Sequence, residues 1–178
     1  MKLCLIKINA MKILNKSILL LLFLIPCVLI SQEDLVDKIK GSWKLYEIHY
    51  EYKDTTYIMK ENDHGRFIFT DENYALMYNP RMQQRKPFKD LSKPENEEII
   101  NAFRSLVFNT GSYSIEDNII STTADIAKVP GFEGGQQYYR MKLVDDALEL
   151  VMYDETYPNG KKPEWYKKLK IKFRLKRE

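Results

Sequence analysis

Beyond its first 31 residues this chain has no cysteine. The two in the 178-residue sequence are Cys4 and Cys27, so the remainder can form no disulfide and present no thiolate to a metal or a substrate. Histidine is almost as scarce: His49 and His64 are the only two, and they do not stand at a metal-ligand spacing. No HExxH, glycine-rich phosphate loop, nucleophile elbow or CxxC occurs. Gly134-Gly135, shortly after Pro130-Gly131, signals a turn rather than a phosphate cradle. These absences argue against a metal or nucleotide enzyme, and no cofactor or metal site is expected. A strong charge of one sign is missing too. The net charge of +3 rests on four lysines among the first 31 residues, which hold no acid, and without them 24 bases face 25 acids. A near-neutral domain is a poor match for nucleic acid.

The one long hydrophobic run, Ile18 to Ile30, is broken only by Pro26 and Cys27. It is shorter than the ~20 apolar residues of a membrane-spanning helix. Lys12 and Lys16 precede it, and Ser31, Gln32 and acidic residues follow, which is the layout of a signal peptide. Residues 1–31 are therefore expected to be removed on export to the periplasm or beyond, with Met11 an alternative start. Cys27 as a lipoprotein anchor is disfavoured, because Pro26 stands where a small residue is needed and Val28, Leu29 and Ile30 continue the apolar run. Residues 32–178 suffice for one hydrophobic core and are too few for two.

From Gly41 onward, short alternating segments separated by turn signals predict an all-β domain. Strands are expected at 42–52, 55–60, 65–70, 73–79, 111–116, 118–127, 136–145, 147–153 and 164–176. Asp71-Glu72-Asn73, Glu116-Asp117-Asn118 and Asp145-Asp146 are compact polar joints that reverse the chain between neighbours. In the last segment Leu169, Ile171, Phe173 and Leu175 alternate with Lys168, Lys170, Lys172, Arg174 and Lys176, so one face is buried and the other wet. That basic row is either a solvated exterior or a contact surface for a membrane or an envelope polymer. Residues 79–110 interrupt the pattern with Pro80, Pro87 and Pro94. Ser92 and Glu95 are spaced as a capping box, and Ile99, Ile100, Phe103, Leu106 and Val107 form one helical face. A short helix over a barrel opening fits, either as a lid or as a plug.

Polar residues on strand faces supply the candidate site. If the parity of Trp43 and Leu45 persists, Glu47 and His49 point inward. Ser121, Thr123 and Asp125 share one face of their strand, as Tyr138 and Arg140 do in the next. Each such group needs a partner, because a lone buried charge is costly. Arg140 could neutralise Asp125 or Glu47, or receive a ligand carboxylate. A cavity at the helix-covered end is expected near Phe103, lined by Tyr74, Tyr78, Tyr113, Phe132 and Tyr138. All 12 tyrosines lie beyond residue 31 and would suit an amphipathic guest.

The segments Gly41-Ser42-Trp43-Lys44-Leu45, Gly65-Arg66-Phe67-Ile68-Phe69-Thr70 and Gly111-Ser112-Tyr113-Ser114-Ile115, with the loop around Phe132 and Gly134, resemble the bacterial lipocalin-like domain family of the calycin group. The resemblance runs over roughly residues 38–176. It implies an up-and-down antiparallel β-barrel, here of about eight to ten strands with one short helix, whose cup often holds a small hydrophobic molecule. It also implies that Trp43, after the structural Gly41, closes the barrel bottom under a cation from the last strand, Arg174 or Arg177. Asp125 matches the family's acidic position on its strand. Thr122 and Thr123 stand where members often carry a histidine pair, which puts any role of that pair in doubt. Carriage of a small lipophilic ligand is thus the leading expectation. The alternatives are an envelope accessory protein with a filled barrel, and an isomerase or hydrolase with an acid–base pair in the barrel, since related barrels include isomerases of oxidised fatty acids.

Overall fold

The computed structural model describes residues 35–60, 65–81 and 84–178. The expected signal segment, Cys27 and His64 lie outside those residues. The barrel belongs to a unit running from Ile39 to Glu178, while residues 35–38, helical in conformation, fall in a separate N-terminal unit.

Nine strands and one helix follow one another: β1 (Gly41–Tyr52), β2 (Thr56–Lys60), β3 (Gly65–Phe69), β4 (Asn73–Tyr78), α1 (Asn96–Arg104), β5 (Val107–Glu116), β6 (Ile119–Ala127), β7 (Gln136–Val144), β8 (Ala147–Thr156) and β9 (Leu169–Arg177). Every pairing is antiparallel, β3 to β9 pair in sequence order, and β9 returns to β1. Eight strands thus close a barrel. The ninth, β2, is an appendage: Glu47–Glu51 bond β9 on one edge and β2 on the other, while Trp43 and Lys44 bond β9 and β3 in the same way. β2 and β3 therefore lie end to end along one edge of β1.

The polar joints work as the sequence suggests. Asp117 and Asp145 each take a positive φ of 52°, a left-handed conformation that aspartate tolerates better than most residues and that a two-residue hairpin requires. β5 begins at Val107, four residues before the expected start, so Val107 is strand rather than helix. α1 is correspondingly shorter than its apolar pattern. Its capping box is made by Glu95 and Glu98, not by Ser92, with the Glu95 amide donating to Glu98 Oε2 at 2.9 Å. The last strand starts at Leu169, because 164–168 form turns.

The core is apolar over most of the barrel. Trp43, Leu45, Ile48, Phe67, Ile120, Leu148, Leu150, Phe173 and Leu175 are essentially inaccessible. Phe173 stands at the centre, its ring centroid 5.2 Å from Phe67, 5.1 Å from Tyr78 and 6.4 Å from Tyr139. These rings come from strands on opposite walls, so the middle of an eight-stranded barrel is filled by its own side chains, as its diameter allows.

At the end where β1 begins, Trp43 is fully buried and its indole Nε1 donates to the Ile39 carbonyl at 2.6 Å. The covering cation is Arg177, with its guanidinium carbon 4.3 Å from the ring and Nη1 donating to the Lys40 carbonyl at 2.9 Å. Arg174 does not take this part. It is paired with Glu47 instead and lies over Tyr46, with 5.4 Å to the ring. Gly41 has φ 125°, where an L side chain is strained, and a Cβ there would stand 3.2 Å from Arg177 Nη1.

Candidate functional site

Three β-bulges decide which side chains face the interior. The first lies between Leu45 and Glu47: Leu45 is opposite Leu175 and Glu47 opposite Arg174, so Tyr46 is the extra residue. Directly opposed residues project to the same face. Ile48 and Tyr50, opposite Phe173 and Ile171, therefore point inward, while Glu47 and His49, opposite Arg174 and Lys172, point out. The expected inward parity fails at the bulge, since one unpaired residue reverses every position after it.

Glu47 is nevertheless only 4% exposed, because it is covered on the outer wall. Arg174 Nη1 donates to its Oε2 at 2.7 Å, Lys60 Nζ lies 3.3 Å from Oε1, and His49 Nε2 is 3.4 Å from Oε2. Burial pushes this carboxyl up, but the contacts from Arg174, Lys60 and His49 outweigh it and hold the group below its ordinary value. This is an external ion-pair cluster that fastens β2 and β9 to β1. Within the basic row of β9, Lys172 is also met by acids, its Nζ 3.0 Å from Glu51 and 3.9 Å from Glu149.

The second bulge makes Asp125 the extra residue, between Ala124 opposite Gly111 and Ile126 opposite Thr110. Asp125 is exposed, and the inward set of β6 is Ile120, Thr122 and Ala124. Gly111 is required here because the bulged backbone presses on its Cα: a Cβ would lie 2.0 Å from the Thr123 carbonyl oxygen. The third bulge places Tyr153 between Met152, opposite Tyr139, and Asp154, opposite Tyr138. In β7 the inward residues are Gln137, Tyr139 and Met141. Tyr138 and Arg140 lie outside, where the Tyr138 hydroxyl donates to Gln136 Oε1 at 2.8 Å and the Arg140 guanidinium carbon sits 4.3 Å from the Tyr153 ring. Arg140 therefore meets neither Asp125 nor Glu47 and cannot orient a guest inside the barrel.

Tyr74 and Tyr78 do face inward but belong to the packed core, and burial pushes the Tyr74 hydroxyl up to about 12 and that of Tyr78 higher still. The Tyr74 hydroxyl faces Thr122 without reaching hydrogen-bond geometry and has no partner among the described residues. Tyr113 lies toward the Trp43 end, its hydroxyl donating to the Thr70 carbonyl at 2.7 Å. Phe103 is on α1, half exposed, with Lys128 Nζ 4.1 Å from its ring.

A cavity of about 360 Å³ does open at the end where α1 joins β5, within the size range of small-molecule sites. Its walls are Val107, Phe108, Ala127, Lys128, Val129, Pro130, Gly131, Phe132 and Tyr157, and its floor is Asn109, Gln137 and Glu155. Of the ten ligand-binding candidates read from the sequence, Phe132 alone lines it. Phe132 meets Tyr157 edge to face, with 6.3 Å between centroids. Lys128 ties the rim to α1, donating to the carbonyls of Phe103 at 2.5 Å and of Leu106.

The floor is a hydrogen-bonded chain that residue alternation did not reveal. Tyr139 Oη donates to Gln137 Oε1 at 2.8 Å, Asn109 Nδ2 donates to the same oxygen at 3.4 Å, and Gln137 Nε2 donates to Glu155 Oε2 at 2.7 Å. Burial pushes the Glu155 carboxyl up. The Gln137 bond opposes that shift, while nearby Asp154 adds to it. One signal for Gln137 was available, since Met141 and Leu143 extend its alternation as the apolar face of β7. Glu155 gave none, because the third bulge intervenes between it and the apolar Leu148, Leu150 and Met152. Among the described residues no group of three histidine, cysteine, aspartate or glutamate side chains is arranged to hold a metal ion.

Comparison with known proteins adds the family. No curated protein matches the chain. Two solved structures resemble it at 16% identity: an uncharacterized protein from Bacteroides eggerthii, covering 79% of this chain and 99% of its own with a TM-score of 0.41, and a lipocalin-like protein from Bacteroides uniformis, covering 79% and 98% with a TM-score of 0.40. The profile of the lipocalin-like domain matches residues 40–167, which take in β1 through β8. Over most of its length, then, this chain belongs to the lipocalin-like domain family.

Proposed function

We propose that the protein is exported and binds a small lipophilic molecule in the cavity between β5, β7, β8 and the loop after β6. The observation that carries this reading is the cavity's make-up: mostly apolar and aromatic walls over a few convergent polar groups, the usual anatomy of a small-molecule site. The filled barrel middle limits the guest to one end, so it is short or only partly enclosed. Export rests on the basic start, apolar run and polar boundary of residues 1–31.

Native mass spectrometry of the purified protein, followed by displacement of a fluorescent apolar probe, tests the binding. The wild type should carry or accept a guest, and Phe132→Asp, which puts a charge into the apolar wall, should weaken probe binding about tenfold or more while keeping the circular dichroism spectrum. Absence of any bound or displaceable guest removes the reading. It would favour an accessory protein acting through its outer surface, for which the ring cluster around Phe173 already speaks. For export, an intact mass that retains Met11 to Ser31, or adds a lipid at Cys27, defeats the proposal.

A further inference from the structure

The floor of the cavity has a chemical sign. Asn109, 3% exposed, commits its amide nitrogen to Gln137 Oε1 and leaves Oδ1 with no partner among the described residues. The opposite amide orientation would set its oxygen against Gln137 Oε1, which already accepts from Tyr139, so the network fixes the amide with Oδ1 buried away from solvent. Gln137 Nε2 occupies one oxygen of Glu155, and the other has no partner among the described residues. The acceptor that the floor offers a guest is therefore Glu155, which carries the charge of a carboxylate when ionised, while the buried Asn109 Oδ1 adds a partial negative charge close by. Lys128, the cation on the rim, has its ammonium turned to two carbonyls at the end of α1.

We propose, building on the reading of this cavity as a ligand site, that it selects a lipophilic molecule bearing a protonated amine. The ammonium donates to the Glu155 carboxylate, and the rings of Phe132 and Tyr157 enclose the apolar part. An ammonium brings donors and a positive charge to a carboxylate with one oxygen unpaired, and aromatic walls attract a cation. A hydroxyl has one proton to give and no charge. A fatty-acid carboxylate would bring more acceptors and a like charge against Glu155. The upward push that burial exerts on Glu155 fits a carboxylate lacking a counter-charge, which a bound cation would supply.

The test is calorimetric titration of the full chain at neutral pH with decylamine and decanoate below their micelle concentrations and decanol below its solubility limit. Decylamine should bind roughly tenfold or more tightly than decanol, with decanoate weakest, because a charge-assisted bond is about twice as strong as a neutral one. Glu155→Gln should remove most of the amine preference, bringing decylamine and decanol affinities to within about threefold of each other. If that variant does not fold, the ranking of the three probes on the wild type decides alone. Decanol equal to decylamine, or decanoate tightest, overturns the amine assignment and leaves the cavity as a ligand site. Binding of none of the three overturns both.

Discussion

Replacing Trp43 by alanine probes the closed end of the barrel, where the structure gives each contribution separately. The indole is fully inaccessible, its Nε1 donates at 2.6 Å to the carbonyl of Ile39, itself buried, and the Arg177 guanidinium lies 4.3 Å from the ring. Truncating a buried tryptophan to alanine costs about 3–5 kcal/mol through lost burial and the cavity left behind. Trp43→Phe separates the hydrogen bond from the bulk of the ring: much of the apolar contact survives, while the Ile39 carbonyl loses its donor, a penalty of about 1–3 kcal/mol. The stacked cation is worth about 0.5–2 kcal/mol, and a double-mutant cycle of Trp43→Ala with Arg177→Ala isolates it, since each single change removes the same contact. Urea melts followed by circular dichroism supply the assay, provided the slope with denaturant stays constant across the set. The expected order of loss is Trp43→Ala, then Trp43→Phe, with a positive coupling to Arg177. A loss below about 1 kcal/mol for Trp43→Ala would refute the reasoning, because surface substitutions fall in that range and truncations of a packed core do not.

The wall of the barrel yields two further expected outcomes. Gly111→Ala should destabilise by more than about 2 kcal/mol, at the upper end of ordinary substitutions, because its Cβ would stand 2.0 Å from the Thr123 carbonyl oxygen and neither backbone can withdraw without undoing the bulge at Asp125. A urea melt no different from wild type would place that bulge elsewhere. Glu47 has its carboxyl held below its ordinary value by Arg174, Lys60 and His49 against the effect of burial, so its contribution to stability is present above the ordinary carboxylate range and is lost as pH falls through the lowered value. Glu47→Gln should therefore flatten the acid limb of the stability–pH curve and lower stability at neutral pH, and an unchanged acid limb would mean that this cluster does not carry the linkage.

Much of the barrel could be read directly from residue alternation. Leu169, Ile171, Phe173 and Leu175 against Lys168, Lys170, Lys172, Arg174 and Lys176 specify a half-buried strand by themselves, and Asp117 and Asp145 mark hairpins because few residues accept a positive φ as readily. These are local properties, written within a few residues of where they act. The site was legible only in part, for a physical reason. A bulge is one extra residue relative to the strand alongside, so it exists in the pairing and not in the sequence of either strand. Tyr46, Asp125 and Tyr153 are such residues, and each reverses the face taken by the residues after it. That reversal put Glu47 and His49 on the outer wall and brought Glu155 inside, beside Gln137 and Asn109. For Tyr138 and Arg140 the reason differs: both faces of β7 carry a tyrosine and a polar residue, and only packing against Phe173 selects Tyr139. Whether an inward polar side chain lies against the core or against open space depends on the strands and loops around it, and only the closed tertiary structure decided that Phe132, of all the residues expected there, would face a cavity.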